Sequence, residues 1–296
     1  MLLGISLMVL AGFGWVGVGC VVSHCAAKKI SLSAAQCGQA LLCIACGVTL
    51  ALFQPAMECP MRVKALTFAS LFVSGIGNFA AYELMSRAMK CGPNGIIWSL
   101  VQSALIFPFL VGVIFFGVAL TPVRIAGMAM LIVSILLLGA AKGNGNGNSE
   151  SRKWLWIALA AFIAAGVTQV TTNLPSYFKD AEAITPVVRT IWFQMGIAAG
   201  FALLWPFERK SISFAGVPKP AVVLGILYIL LYFVLMFSGL DRLAKAGAGS
   251  VGFPVMLGSC IVGFYLYSLT FLKEKITPTG AIGFLLCLAG IISISL

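Results

Sequence analysis

Ten stretches of about 20 apolar residues follow one another along this chain, separated by short connections. They are Leu2–Ser23, Ala34–Phe53, Ala65–Tyr82, Gly95–Phe116, Val123–Ala140, Trp154–Leu174, Val188–Pro206, Val222–Ser238, Ser250–Phe271 and Ile276–Leu296. A helix of that length spans a hydrocarbon core about 30 Å thick. Backbone facing lipid must satisfy its own N–H and C=O groups, so each stretch is expected to be helical and not an open strand. Apolar residues form 61% of the chain and charged residues 9%, against roughly a quarter charged in a soluble domain. The expected fold is therefore an all-α membrane protein with ten transmembrane helices, and the lipid bilayer is its first partner.

The least apolar segment, Lys142–Lys153 (KGNGNGNSESRK), is a flexible Gly/Asn linker that divides the chain evenly. Residues 1–141 form one five-helix half and 154–296 the other. The formal net charge of +11 is scattered singly or in pairs over the loops. It forms no basic stripe interleaved with aromatics, which argues against nucleic acid as a partner. Of nine cysteines, Cys37, Cys43, Cys46, Cys260 and Cys287 lie inside apolar runs and read as small packing residues. Cys43-x-x-Cys46 has no second pair, so no metal site is expected. The first run lacks a basic leader and a cleavage site, and reads as a first span and not as a removed signal.

Polar residues inside the runs carry whatever function there is, since lipid penalises them. On the third run Asn78 and Tyr82 share a helix face, and Glu83 can pair with Arg87 four residues on. On the fourth, Asn94, Trp98 and Gln102 recur at four-residue spacing, beside Ser99 and Ser103. This stripe must face the bundle interior, as helix–helix glue or as the wall of a hydrated path. Pro108 should kink that helix or free a carbonyl. In the second half Thr168, Gln169, Thr172 and Asn173 form a similar face, followed by Tyr177. Arg189, Trp192 and Gln194 open the seventh run, and Tyr228 and Tyr232 share a face of the eighth. The first run carries Gly12, Gly14, Gly17 and Gly19, interrupted by Trp15, and ends at His24, the single histidine. His24 reads either as a headgroup-facing residue or as a proton carrier. The candidate substrate-binding residues are Asn78, Tyr82, Trp98, Gln102, Gln169, Asn173, Trp192, Tyr228 and Tyr232. The candidates for ion coupling are Glu83 and His24.

The two halves resemble each other. Arg87, Lys90 and Gly92 recur 155 residues on as Arg242, Lys245 and Gly247, and Thr121, Pro122 and Gly127 recur 156 residues on as Thr277, Pro278 and Gly283. At this offset Glu274 corresponds to Val118, and Glu83 to Ser238. Five spans per half is odd, so the copies must lie inverted in the membrane, the arrangement of many secondary transporters. On these residues the chain resembles the drug/metabolite transporter superfamily. The segment Leu272-Lys-Glu-Lys-Ile-Thr-Pro-Thr-Gly-Ala-Ile-Gly283, with Gly290 beyond, is similar to the end of an EamA-type domain. Gly75-Ile-Gly-Asn78 with its charged turn is similar to sugar-uptake members such as the rhamnose–proton symporters. The first run holds no acidic residue, unlike the small multidrug members, and so departs from their proton-exchange pattern.

The resemblance implies an inner-membrane protein with both termini inside. The loops after odd-numbered spans hold 12 of the 19 Lys and Arg residues, and the positive-inside rule would place those loops in the cytoplasm and both termini outside. The two criteria conflict. No phosphate-binding GxxxxGK[ST] motif occurs, so the chain itself is not expected to hydrolyse ATP. The expected function is a secondary transporter, not an enzyme and without a cofactor. It would move a small polar or amphipathic cargo, such as a sugar or related metabolite, with a proton as candidate coupling ion. Export of amino acids, metabolites or drugs is the alternative within transport, and a non-transporting membrane scaffold is the alternative outside it.

Overall fold

The computed structural model describes residues 1–54, 58–116, 121–140, 153–236, 238–239, 242–243, 249–275 and 277–295. Among them every regular element is a helix. We number the ten long ones α1 (Leu2–Lys28), α2 (Leu32–Ala51), α3 (Met61–Met89), α4 (Asn94–Phe116), α5 (Pro122–Ala140), α6 (Lys153–Asn173), α7 (Pro186–Glu208), α8 (Pro218–Met236), α9 (Gly249–Thr270) and α10 (Pro278–Ser295). Seven of these, α1–α4 and α6–α8, are long and apolar enough to cross a membrane, while α5, α9 and α10 carry shorter apolar stretches. Lys142–Arg152 of the expected linker, Val118, Lys245 and Gly247 lie outside the described residues.

Local chemistry sets the starts of these helices. Thr121 and Thr277 cap α5 and α10 in the same way: each hydroxyl accepts the N–H three residues on, from Arg124 (3.3 Å) and Gly280 (3.1 Å). Proline follows at the first helical position, where its missing N–H is harmless. Thr185-Pro186 opens α7 by the same device. Within α4 the chain tightens into a 3₁₀ turn at Ser103–Leu105, immediately before Pro108, which cannot donate to the Ala104 carbonyl. α3 runs two turns beyond Tyr82, which places Glu83 and Arg87 inside a helix.

Small residues let the helices meet. α1 packs on α9 and α8, α3 on α6 and α7, α2 on α7 and α8, α4 on α6 and α9, and α5 on α10. Exchanging each helix for the one five places away maps this set onto itself: α1–α9 becomes α6–α4, α3–α6 becomes α8–α1, and α3–α7 becomes α8–α2. Glycine permits the closest crossings. A Cβ on Gly12 would meet the Met256 carbonyl oxygen at 2.5 Å, and one on Gly290 the Gly127 oxygen at 2.8 Å.

At one end of the bundle the connection between α9 and α10 closes on α4. The Glu274 carboxylate accepts the backbone N–H groups of Asn94 (2.6 Å) and Gly95 (3.0 Å), and the Asn94 amide donates to Ser23 of α1 (2.9 Å). A carboxylate there satisfies orphan donors and complements the helix dipole. Burial pushes the Glu274 carboxyl up from its ordinary value, against the opposing pull of the two N–H groups and of Ser268. Glu274→Ala is expected to lower stability by about 1–2 kcal/mol, read as the thermal unfolding midpoint in detergent. An unchanged midpoint would show that water replaces the carboxylate without loss.

Candidate functional site

Trp15 stands at the midpoint of α1, a helix of 27 residues. Beside it, α1, α3, α4, α6, α8 and α9 enclose a cavity of about 90 Å³, counted as space open to the centres of water molecules. That is room for on the order of six waters. Six of the nine candidate binding residues line it: Asn78 and Tyr82 from α3, Gln102 from α4, Gln169 and Asn173 from α6, and Tyr232 from α8. The four-residue spacings that put Asn78 with Tyr82, and Gln169 with Asn173, on shared faces are preserved because both helices run unbroken there. None of the described lining residues is charged.

The remaining three candidates lie elsewhere. Tyr228 sits one turn before Tyr232, stacked on it, and its hydroxyl donates to Asn78 Oδ1 (3.3 Å). Trp98 is fully buried behind the cavity wall. Its ring stacks on Phe264 (4.7 Å between centroids) and its N–H donates to Cys260 Sγ (3.3 Å). Trp192 packs edge-on against Phe68 (5.7 Å); it belongs to α7, which does not reach the cavity.

The structure adds residues absent from the candidate set. Trp15 lies parallel to Tyr82 (centroids 6.3 Å, planes 4° apart) and edge-on to Tyr228 and Tyr232. Its signal in the sequence is an indole alone among the glycines of α1. Met85, Met236 and Met256 give the cavity an apolar, adaptable side. α8 changes to a π-helical pattern at Leu230–Met236, and the wider turn carries Tyr232 and Met236 to the cavity; such turns recur at functional sites.

Hydrogen-bond accounting separates structural polar groups from free ones. Ser74, Thr168 and Thr172 are consumed between α3 and α6: Ser74 Oγ donates to the Thr168 carbonyl (2.9 Å), and Thr172 to the same oxygen (2.7 Å). Asn78 is held by Tyr228. By contrast, Trp15 Nε1 and Gln169 Oε1 are buried without a partner. The side-chain amides of Gln102 and Asn173 likewise bond to nothing among the described residues.

The two ion-coupling candidates are outside this cavity. Glu83 turns away from Tyr82 into a second, polar cleft of about 320 Å³ at the end of the bundle, lined also by Lys29, Ser86, Lys90 and Glu208. Arg87 bridges two carboxylates there, donating Nε to Glu83 (2.9 Å) and Nη2 to both oxygens of Glu208 (2.6 Å each). The other Glu83 oxygen is buried without a partner. His24 is exposed in the penultimate turn of α1. The Arg87 side chain is 37% exposed, so its pairs are screened by solvent. Arg87→Met is expected to cost only about 1 kcal/mol, and raised salt should shrink the difference from wild type.

No family model matches the chain, and no curated protein matches it. One similar solved structure, described only as "Crystal structure of protein", has a TM-score of 0.62 at 20% identity and covers 97% of this chain and 96% of its own. At that identity the likeness shows a shared fold over the whole length. Among its described residues the chain is thus all-helical, with seven helices able to cross a membrane.

Proposed function

We propose that this chain is a secondary transporter of the drug/metabolite type, with ten spans arranged as two inverted five-helix repeats in the inner membrane. It carries a small polar or amphipathic metabolite, a sugar or related compound, by alternating access. The observation that carries this reading is the cavity beside the midpoint of α1, walled by members of both halves and with no charged residue in its described lining. Helix contacts that map onto themselves when the halves are exchanged support the repeat. So does the buried hydrogen bond from Gln39 to Gln194 (2.7 Å), since these residues stand 155 positions apart. That is the offset relating Arg87 to Arg242, so counterpart residues of α2 and α7 meet, as they do on a two-fold axis. A midplane site between two inverted halves lets each half open one side in turn.

The test is flux of radiolabelled sugars, amino acids and nucleosides into liposomes containing the purified chain. Saturable counterflow of one class is expected; no saturable flux of any class favours a scaffold. Proton coupling through Glu83 predicts that Glu83→Gln abolishes uptake driven by a pH gradient and leaves counterflow intact. Survival of both removes Glu83 from the mechanism.

A further inference from the structure

We infer that Trp15 determines specificity in the central cavity: its indole N–H, together with the Gln169 carbonyl oxygen, reads an acceptor and a donor on an uncharged ligand. This rests on the transport reading above and names the chemistry that reading leaves open.

The polar groups around the cavity fall into two sets. Those of Ser74, Thr168, Thr172 and Tyr228, and the carbonyl oxygen of Asn78, are spent inside the protein. Trp15 Nε1 and Gln169 Oε1 are instead buried and unpartnered. Native proteins keep few such groups, because each sacrifices a hydrogen bond to water. One is a donor and the other an acceptor, so a ligand with a single kind of polar group satisfies only one of them. A hydroxyl, an amide or a lactam ring supplies both.

Trp15 is also held rigidly. It is 8% exposed, with its ring stacked on Tyr82 and edge-on to Tyr228 and Tyr232. The glycines around it seat α1 directly on its neighbours: a Cβ on Gly12 would strike the Met256 backbone, one on Gly14 the Leu231 side chain and one on Gly19 the Phe264 ring. The ring is therefore fixed before any ligand arrives, which reduces the entropy lost on binding. Charge is selected against. The described residues of the cavity wall include no counter-ion, and a charged ligand would surrender its hydration to an apolar surround without one. A site built around buried donors and acceptors discriminates sharply against analogues that lack the matching group.

The experiment measures binding to the purified full-length chain by thermal shift. Four probes are used: methyl glucoside and uridine (uncharged), glucuronate (anionic) and tetraphenylphosphonium (cationic). They are titrated against wild type, Trp15→Phe, Gln169→Met and Gln169→Glu, with the unliganded midpoint as the check on folding. Saturable binding of an uncharged probe is expected, with an apparent Kd about tenfold higher in Trp15→Phe, which keeps the aromatic ring and loses only the N–H. Gln169→Met should weaken the same probe to a similar degree. Gln169→Glu should lose it and gain tetraphenylphosphonium. Unchanged affinity in both Trp15→Phe and Gln169→Met overturns the inference and leaves the transport reading standing. So does wild-type binding of a charged probe in preference to both uncharged ones. Absence of saturable binding and flux for every probe overturns both together.

Discussion

Gly75→Ala is expected to lower stability by about 3 kcal/mol or more. At the crossing of α3 and α7 a Cβ on Gly75 would lie 2.0 Å from the Phe193 carbonyl oxygen and 2.8 Å from the Gly196 Cα. From the other side, a Cβ on Gly196 would lie 2.1 Å from the Phe72 carbonyl oxygen. The obstacles are backbone atoms, so no rotamer change relieves the clash and the helices must separate. Separation would strip contacts along both, and in lipid there is little hydrophobic force to restore them. Gly196→Ala should behave like Gly75→Ala, and the double variant should cost less than the sum, because one displacement accommodates both. Gly258→Ala is the control: nothing lies within 4 Å of its added Cβ, so it should be neutral or slightly stabilising through helix propensity. Thermal unfolding in detergent measures all four. A loss below about 1 kcal/mol for Gly75→Ala would mean that α3 and α7 are not docked as described.

Trp98→Ala and Gln102→Leu should separate stability from transport, although the two residues lie on one stripe of α4. Trp98 is 0% exposed, stacked on Phe264 and bonded to Cys260. Its removal leaves a cavity the size of an indole, and a loss of about 3–5 kcal/mol is expected. Gln102 has no hydrogen bond to any described residue and faces the central cavity. An apolar residue of nearly the same size should leave the unfolding midpoint within the equivalent of about 1 kcal/mol. Saturable flux should fall about tenfold, the equivalent of one lost hydrogen bond of about 1.4 kcal/mol to the cargo. The comparison is made on reconstituted protein, with flux normalised to folded chain. Full flux in Gln102→Leu would reduce the residue to packing and remove one wall of the proposed site.

These cases show where reading along the chain stops. The spacing of Asn94, Trp98 and Gln102 places all three on one side of a helix, and that much is correct. Yet Asn94 is held at the bundle end by Ser23 and Glu274, Trp98 is embedded in packing, and only Gln102 reaches the cavity. Periodicity gives direction around an axis. It gives neither depth in the bundle nor the identity of the facing helix. Trp192 lies away from the central cavity for that reason, and Glu83 lies one residue from Tyr82 yet faces a different cleft. Trp15 was readable only as an interruption of a glycine run, since the rings around it come from α3 and α8.

The sequence by itself determined the helical character, the number and approximate limits of the ten helices, and the Thr-Pro starts of α5 and α10. These follow from short-range rules: hydropathy over about 20 residues, capping chemistry, and a backbone that must bond to itself in lipid. The tertiary structure alone decided which polar groups share a cavity and which are spent on one another. Six helices contribute to that cavity. Their relative rotation and depth are set by backbone contacts at glycines such as Gly12 and Gly75, whose partners lie more than a hundred residues away. Close packing between distant segments leaves no local trace in the chain, and so Trp15 and Gln169 became neighbours of one space only in the folded molecule.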